Sequence, residues 1–229
     1  MVLTKTVEVC CADTMSVMAA KKAGAPRIEL CSALPLGGVT PSSGIVSVAR
    51  SLFSGRIHVL IRPREGDFVY NDSEKEAMLR DIAHMAEARC EGVVAGALNA
   101  DGSVDYDFAA RIAREARRNK LSLTFHRAFD VCSDRSEALE TLVSLGYDRI
   151  LTSGGADNAL DGADELARLN RQAAGRIIIL PGGGVTTRNA GDIIKATGAT
   201  EIHGSCRAGG SDSSDANVIS TIMHIINYE

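Results

Sequence analysis

Two short stretches each place a carboxylate and a thiol two residues apart: Glu8 and Cys10 in TVEVCC, and Glu29 and Cys31 in RIELCS. Aliphatic residues alternate with them, Val7 and Val9 in the first stretch and Ile28 and Leu30 in the second. A β-strand sends alternate residues to opposite faces, so each stretch reads as a core strand whose Glu and Cys share one face. A buried carboxylate can serve as a general acid or base, a hard metal ligand or half of an ion pair. A buried free thiol is by default a small hydrophobe. Further along, TFHRAFD gathers His126, Arg127 and Asp130 at the end of an apolar run, IRPR supplies Arg62, and EIHGS supplies His203. Imidazole moves protons near neutral pH, and guanidinium holds carboxylates and phosphates. In PGGG, the glycines Gly182, Gly183 and Gly184 would let backbone N–H groups approach an anion. The competing reading is a tight turn, with Thr186, Thr187 and Arg188 opening the next helix.

The elements that must position these groups follow one pattern. Apolar runs at 7–10, 27–31, 56–62, 92–97, 121–127, 149–153, 176–182 and 201–205 alternate with stretches of helical period. Ser73 with Glu76 and Asp134 with Glu137 are spaced like capping boxes, and Gly24, Gly146 and Gly198 stand where helices should stop. The stretch from Val218 to Ile226 predicts a final amphipathic helix. Eight strands, each followed by a helix, close most simply into one (β/α)8 TIM barrel spanning residues 1–229. An open doubly wound sheet usually has fewer strands and would not repeat so evenly.

In a barrel, one strand face meets the helices and the other fills the interior. Parity turns Val7, Val9, Ile28 and Leu30 outward, and Glu8, Cys10, Glu29 and Cys31 inward. It also turns His58, Leu60, Arg62, Thr124, His126, Glu201, His203 and Ser205 inward. Buried charges must pair with one another or with a ligand. The expectation is that Glu8, Glu29, Arg62 and His126 join one polar cluster at the carboxyl ends of the strands, the usual place for function in this fold. His58, near the start of its strand, reads as structural. Cys11 should face away from Cys10, and Cys90, Cys132 and Cys206 have no partner visible in the sequence.

Such a cluster is either a structural ion-pair network or a site. As a site, Glu8 and Glu29 with His126 and His203 would bind a divalent cation or supply a general acid and base, while Arg62 or Arg127 and the PGGG rim hold a carboxylate or phosphate. Proton transfer or aldol-type chemistry on a small metabolite would suit these parts. A noncatalytic interaction scaffold is a third reading. The net charge of −4 with scattered basic residues gives no footprint for nucleic acid, and no run has the length of a membrane span. The amino-terminal residues run at once into a strand pattern, and the six cysteines lack zinc or disulfide spacing, which predicts a reducing, cytoplasmic setting.

The motifs VEVC, RIELCS, GGVTPSSG, IRPREGDFVY, GALNADGSVD, TFHRAFD, LTSGG, PGGGVTTRN and EIHGS, in this order, resemble the CutC copper homeostasis family. The resemblance runs from Val7 through Ser205. It implies a (β/α)8 barrel, a cytoplasmic location, self-association as a dimer or tetramer, and a role in copper homeostasis, with Cys10 and Cys31 as the Cu(I) ligands. Thiolates are soft donors that select Cu(I). The shear of a barrel places inward residues of adjacent strands in different layers, so the two sulfurs are expected to be staggered. Leu36 and Val39 depart from the family pattern, which has an acidic residue and Thr there, and Cys11 is an extra thiol.

Overall fold

All eight apolar runs form strands in the computed structural model, which describes residues 4–228. They are β1 (Thr6–Cys11), β2 (Arg27–Leu30), β3 (Arg56–Leu60), β4 (Gly92–Val94), β5 (Ser122–Phe125), β6 (Arg149–Thr152), β7 (Ile178–Pro181) and β8 (Glu201–Gly204). Every ladder is parallel, in the order β7-β6-β5-β4-β3-β2-β1-β8, and β8 also packs beside β7 so that the sheet curls into a barrel. Among the described residues the β7–β8 seam has no hydrogen-bonded ladder. The helices are α1 (Thr14–Ala23), α2 (Ser43–Leu52), α3 (Asp72–Glu87), α4 (Tyr106–Arg118), α5 (Arg135–Leu145), α6 (Ala163–Ala173), α7 (Ala190–Thr197) and α8 (Ala216–Tyr228).

The helix punctuation has identifiable causes. Gly24, Gly146 and Gly198 end α1, α5 and α7 in the left-handed conformation that glycine adopts without a Cβ penalty. Asp134 caps α5 by accepting from the Glu137 N–H at 3.0 Å. The capping box of α3 is Asn71 with Glu74 rather than Ser73 with Glu76. Asn caps as well as Ser does, so the helix starts at the earlier of the two signals and Ser73 falls in its first turn.

Parity sorts the core into two compartments. Val7, Val9, Cys11, Ile28, Leu30, Ile57, Val59 and Ile61 belong to the large apolar layer between sheet and helices. A second, small cluster inside the barrel joins Cys10, Cys31, Leu60 and Val94. Cys11 therefore faces the helices and Cys10 the interior, as alternation requires. Among the described residues, no helix is long and apolar enough to cross a membrane.

Candidate functional site

The strand register sets the heights of the inward polar residues. Glu8 stands opposite Arg27 of β2 and His203 of β8, and Glu29, two residues higher on the ladder, stands opposite Cys10 of β1 and His58 of β3. Arg27 donates from Nε to Glu8 Oε2 at 2.5 Å and from Nη2 to Glu201. Arg149 donates to both Glu201 oxygens, at 2.8 and 3.2 Å. The His203 Nδ1 lies 2.9 Å from Glu8 Oε1 and 3.6 Å from Glu29 Oε2, while His58 Nδ1 is 3.6 Å from Glu8 Oε2. Arg27 and Arg149 are missing from the sequence-derived candidates because each opens its strand, where an arginine looks like a solvated end. Parity could have found them, since 27 shares a face with 29 and 31, and 149 with 151 and 153.

Glu8 and Glu29 are driven apart in pKa. Burial would raise Glu8, but Arg27, and after it His203, outweigh burial and hold Glu8 well below the usual carboxylate range. Glu29 has no arginine in contact, and burial pushes it up to about 7. Burial works against protonation of His203, yet Glu29 and Glu8 together raise it above its ordinary value. Burial lowers His58 to about 4. Glu29 is thus the carboxyl poised for proton exchange near neutral pH, and Glu8 is a fixed anion.

Glu8, Glu29 and His203 offer three donor atoms within 4.8 Å of one another. This set does not fit a divalent cation well. Glu8 Oε2 is held by Arg27 and Oε1 by His203, so an ion would have to displace a buried guanidinium from its carboxylate.

Arg62 and His126 do not join that cluster. They lie beyond the ends of β3 and β5, about two residues above the Leu60–Val94–Thr124 register, and no hydrogen bond links them to Glu8 or Glu29 among the described residues. At about 3.3 Å of rise per residue, the layers are separated by more than a side-chain contact. Arg62 donates to Gly38 O at 3.0 Å and to Gly66 O at 2.6 Å, and its guanidinium stands 4.8 Å over the Phe68 ring. His126 Nδ1 accepts from the Ala128 N–H at 3.2 Å, and burial, then Arg62, pushes its pKa down to about 3. Arg127 bonds Asp130 at 2.7 Å and Ser153 Oγ at 2.9 Å. Asp130 accepts from Thr152 Oγ1, Ser153 N and Gly155 N, so it organises the loop after β6.

At the seam, the Gly182 N–H donates to Thr152 O at 3.0 Å and extends the β6–β7 ladder. The amides of Gly183 and Gly184 donate to no acceptor among the described residues. A Cβ on Gly183 would lie 3.5 Å from Arg127 Cζ, so this glycine brings backbone and guanidinium close together.

Cys10 lies opposite Glu29 in the ladder, so the backbone stagger expected between Cys10 and Cys31 is present. The side chains close that gap, and the sulfurs come within 3.9 Å. The Cys10 thiol is pushed well above its usual pKa, first by the contact with Cys31 and then by burial. Cys132 and Cys206 turn their thiols toward the carbonyls of Ala128 and Gly204.

One cavity of about 870 Å³ spans the mouth, lined by Cys10, Glu29, Cys31, Arg62, Phe68, His126, Arg127, Gly183, Gly184, His203 and Ser205 among others. Glu8, Asp130 and Gly182 are not part of its lining.

The model of the CutC family matches residues 5–208. A family protein CutC of Porphyromonas gingivalis is 47% identical over 201 residues, covering 88% of this chain and 80% of that protein. The human protein named copper homeostasis protein cutC homolog is 45% identical over 202 residues, covering 88% of this chain and 73% of its own length. The crystal structure of a CutC protein from Streptococcus agalactiae superposes with a TM-score of 0.83 at 34% identity, covering 88% of this chain and 98% of that one.

Proposed function

Because this chain belongs to the CutC family, we propose that it serves copper homeostasis by binding Cu(I) through Cys10 and Cys31 at the barrel mouth. The observation that carries this reading is the 3.9 Å between the two sulfurs. Two metal–thiolate bonds of about 2.3 Å span that distance when they meet at roughly 115°, which leaves a third coordination position facing the cavity. Soft sulfur favours Cu(I) over Mg²⁺, Ca²⁺ or Mn²⁺. Copper is the cargo here, and each thiol that binds it must release a proton. A competition titration against a Cu(I) chelator tests the reading. Cys10→Ser and Cys31→Ser should each weaken binding by at least tenfold, and Cys11→Ser should leave it nearly unchanged. Equal affinities in all four proteins would remove this pair as the site.

The cavity supports a second reading. Its volume of about 870 Å³ lies in the range of small-molecule sites and far exceeds the space a single ion needs. Glu29, His203, Arg62, His126 and Arg127 all line it and suit an enzyme acting on a small phosphorylated or carboxylated metabolite by acid–base chemistry.

A further inference from the structure

We infer that the cavity holds the phosphate group of a phosphate monoester at its β7–β8 rim, on the backbone N–H groups of Gly183, Gly184, Val185, Ser205 and Cys206 beside the Arg127 guanidinium. This rests on the metabolite reading, chooses phosphate over carboxylate and anchors one end of the ligand.

The loops that leave β7 and β8 lie against each other. No ladder joins these strands among the described residues, so packing sets their spacing, and two glycines make it close. A Cβ on Gly182 would lie 3.3 Å from the His203 Cβ, and one on Gly204 would lie 3.4 Å from the Val185 Cβ. Residues 183–185 and 205–206 therefore leave the barrel as neighbours. Their five N–H groups donate to no acceptor among the described residues. The chain satisfies the next amides itself, since the Thr186 N–H donates to Asn189 Oδ1 at 2.7 Å and the Arg188 N–H to Thr186 Oγ1 at 3.3 Å.

Two of the free N–H groups are also fixed in direction. The Gly183 carbonyl accepts from the Ala159 N–H at 2.9 Å, and the Gly184 carbonyl accepts from Asn189 Nδ2 at 2.9 Å. A trans peptide points its N–H away from its C=O, so these bonds hold the Gly184 and Val185 N–H groups on the opposite side. Gly183 and Ser205 are half-buried, Gly184 is exposed, and all five residues line the cavity, so a ligand can reach the rim.

Water alone would satisfy such amides, but the charge around them favours an anion. The lining holds Arg62, Arg127, Arg188 and Arg207 against a single carboxyl, Glu29, in a chain whose net charge is −4. Arg188 and Arg207 follow the two loops and make no ion pair among the described residues. A Cβ on Gly183 would lie 3.5 Å from Arg127 Cζ and Nη1, which sets one guanidinium directly against the amides. A concave surface of one sign concentrates ligands of the other. Phosphate fits these donors better than carboxylate does. Its three terminal oxygens face different ways and accept from two loops and a guanidinium at once, whereas a carboxylate presents two oxygens in one plane.

The probes are inorganic phosphate, 2-phosphoglycolate, and glycolate, which keeps the carboxylate and lacks the phosphate. In amide ¹H–¹⁵N spectra, phosphate and 2-phosphoglycolate at millimolar concentration should shift all five rim amides, and glycolate should leave them in place. Arg127→Met should weaken 2-phosphoglycolate by about tenfold or more, as loss of a hydrogen bond to a charged group does. Arg127 also holds Asp130 and Ser153, so a second variant avoids dependence on its folding. Arg188→Gln with Arg207→Gln breaks no ion pair, and should weaken the same probe severalfold at low salt with the loss fading as salt is added. Unchanged affinity in both variants would overturn the inference. So would glycolate moving the rim amides as far as 2-phosphoglycolate does, or shifts at Glu29 and His203 without the rim; either result keeps the metabolite reading. No shift of any lining residue with any probe removes the metabolite reading, and this inference with it.

Discussion

Replacing Arg27 by Met should destabilise the barrel through one carboxylate. Arg27 is 2% exposed and Glu8 fully buried. Removing one partner of a buried ion pair costs about 3–5 kcal/mol, because the other charge is left uncompensated. Glu201 keeps both bonds from Arg149, so the loss falls mainly on Glu8 and the lower end, about 3 kcal/mol, is expected. In a chain of this size each kcal/mol lowers Tm by roughly 2–4 °C, so Tm should fall by about 6–12 °C. The pH dependence is diagnostic. In the wild type, Arg27 holds Glu8 below its unfolded pKa, so this carboxylate contributes stability above that value and loses it as pH falls. In Arg27→Met, burial acts with less opposition and raises Glu8, which then loses stability as pH rises through its folded pKa. The deficit should therefore widen from pH 4 to pH 8 in urea unfolding at 25 °C. A deficit below about 1 kcal/mol, or one that is constant with pH, would refute the assignment of Glu8 to a structural ion-pair network.

Glu29, raised to about 7, contributes stability below its unfolded pKa and loses it as pH rises through about 7. Glu29→Gln should accordingly gain on the wild type between pH 5 and pH 8 in urea midpoints; parallel curves would show that the carboxyl titrates normally. At Gly162, a Cβ would lie 1.9 Å from the Ser153 carbonyl oxygen, a backbone atom that cannot rotate away. Gly162→Ala should cost at least the roughly 1–3 kcal/mol of overpacking, seen as a lowered thermal midpoint, and an unchanged midpoint would mean that the loop between residues 153 and 162 relaxes freely.

The strands were legible in the sequence because each is a short aliphatic run bounded by helix signals, and their inner faces followed from parity alone. Heights were not legible. Alternation says that Glu8 and Arg62 point inward but not that they stand in different layers, which depends on how far each strand slides past its neighbour. The same blindness hid the ion network. Arg27 and Arg149 stand at strand starts; the register sets Arg27 opposite Glu8, and side-chain reach across the barrel brings both arginines to Glu201. The sulfur pair shows the reverse case. Backbone stagger separates Cys10 from Cys31, and the lean of two side chains, which no pattern of residue types encodes, brings the thiols together.

The layering also divides the chemistry. Charges at the level of Glu8 satisfy one another: Arg27 and Arg149 bind Glu201, and Glu8 takes Arg27 and His203. A network closed in this way fills the barrel floor and offers a ligand little. One step up, the accounting does not close. Glu29 Oε2 and His126 Nε2 accept or donate no hydrogen bond among the described residues, and two thiols face each other in an apolar nest with Leu60 and Val94. Cys10, Cys31, Glu29, Arg62 and His126 line one cavity, so a Cu(I) ion on the sulfurs and an organic anion at the rim would share a single mouth. The closed network at the level of Glu8 and the cavity lined from the level of Glu29 upward thus separate a structural floor from the part of the barrel that a ligand can reach.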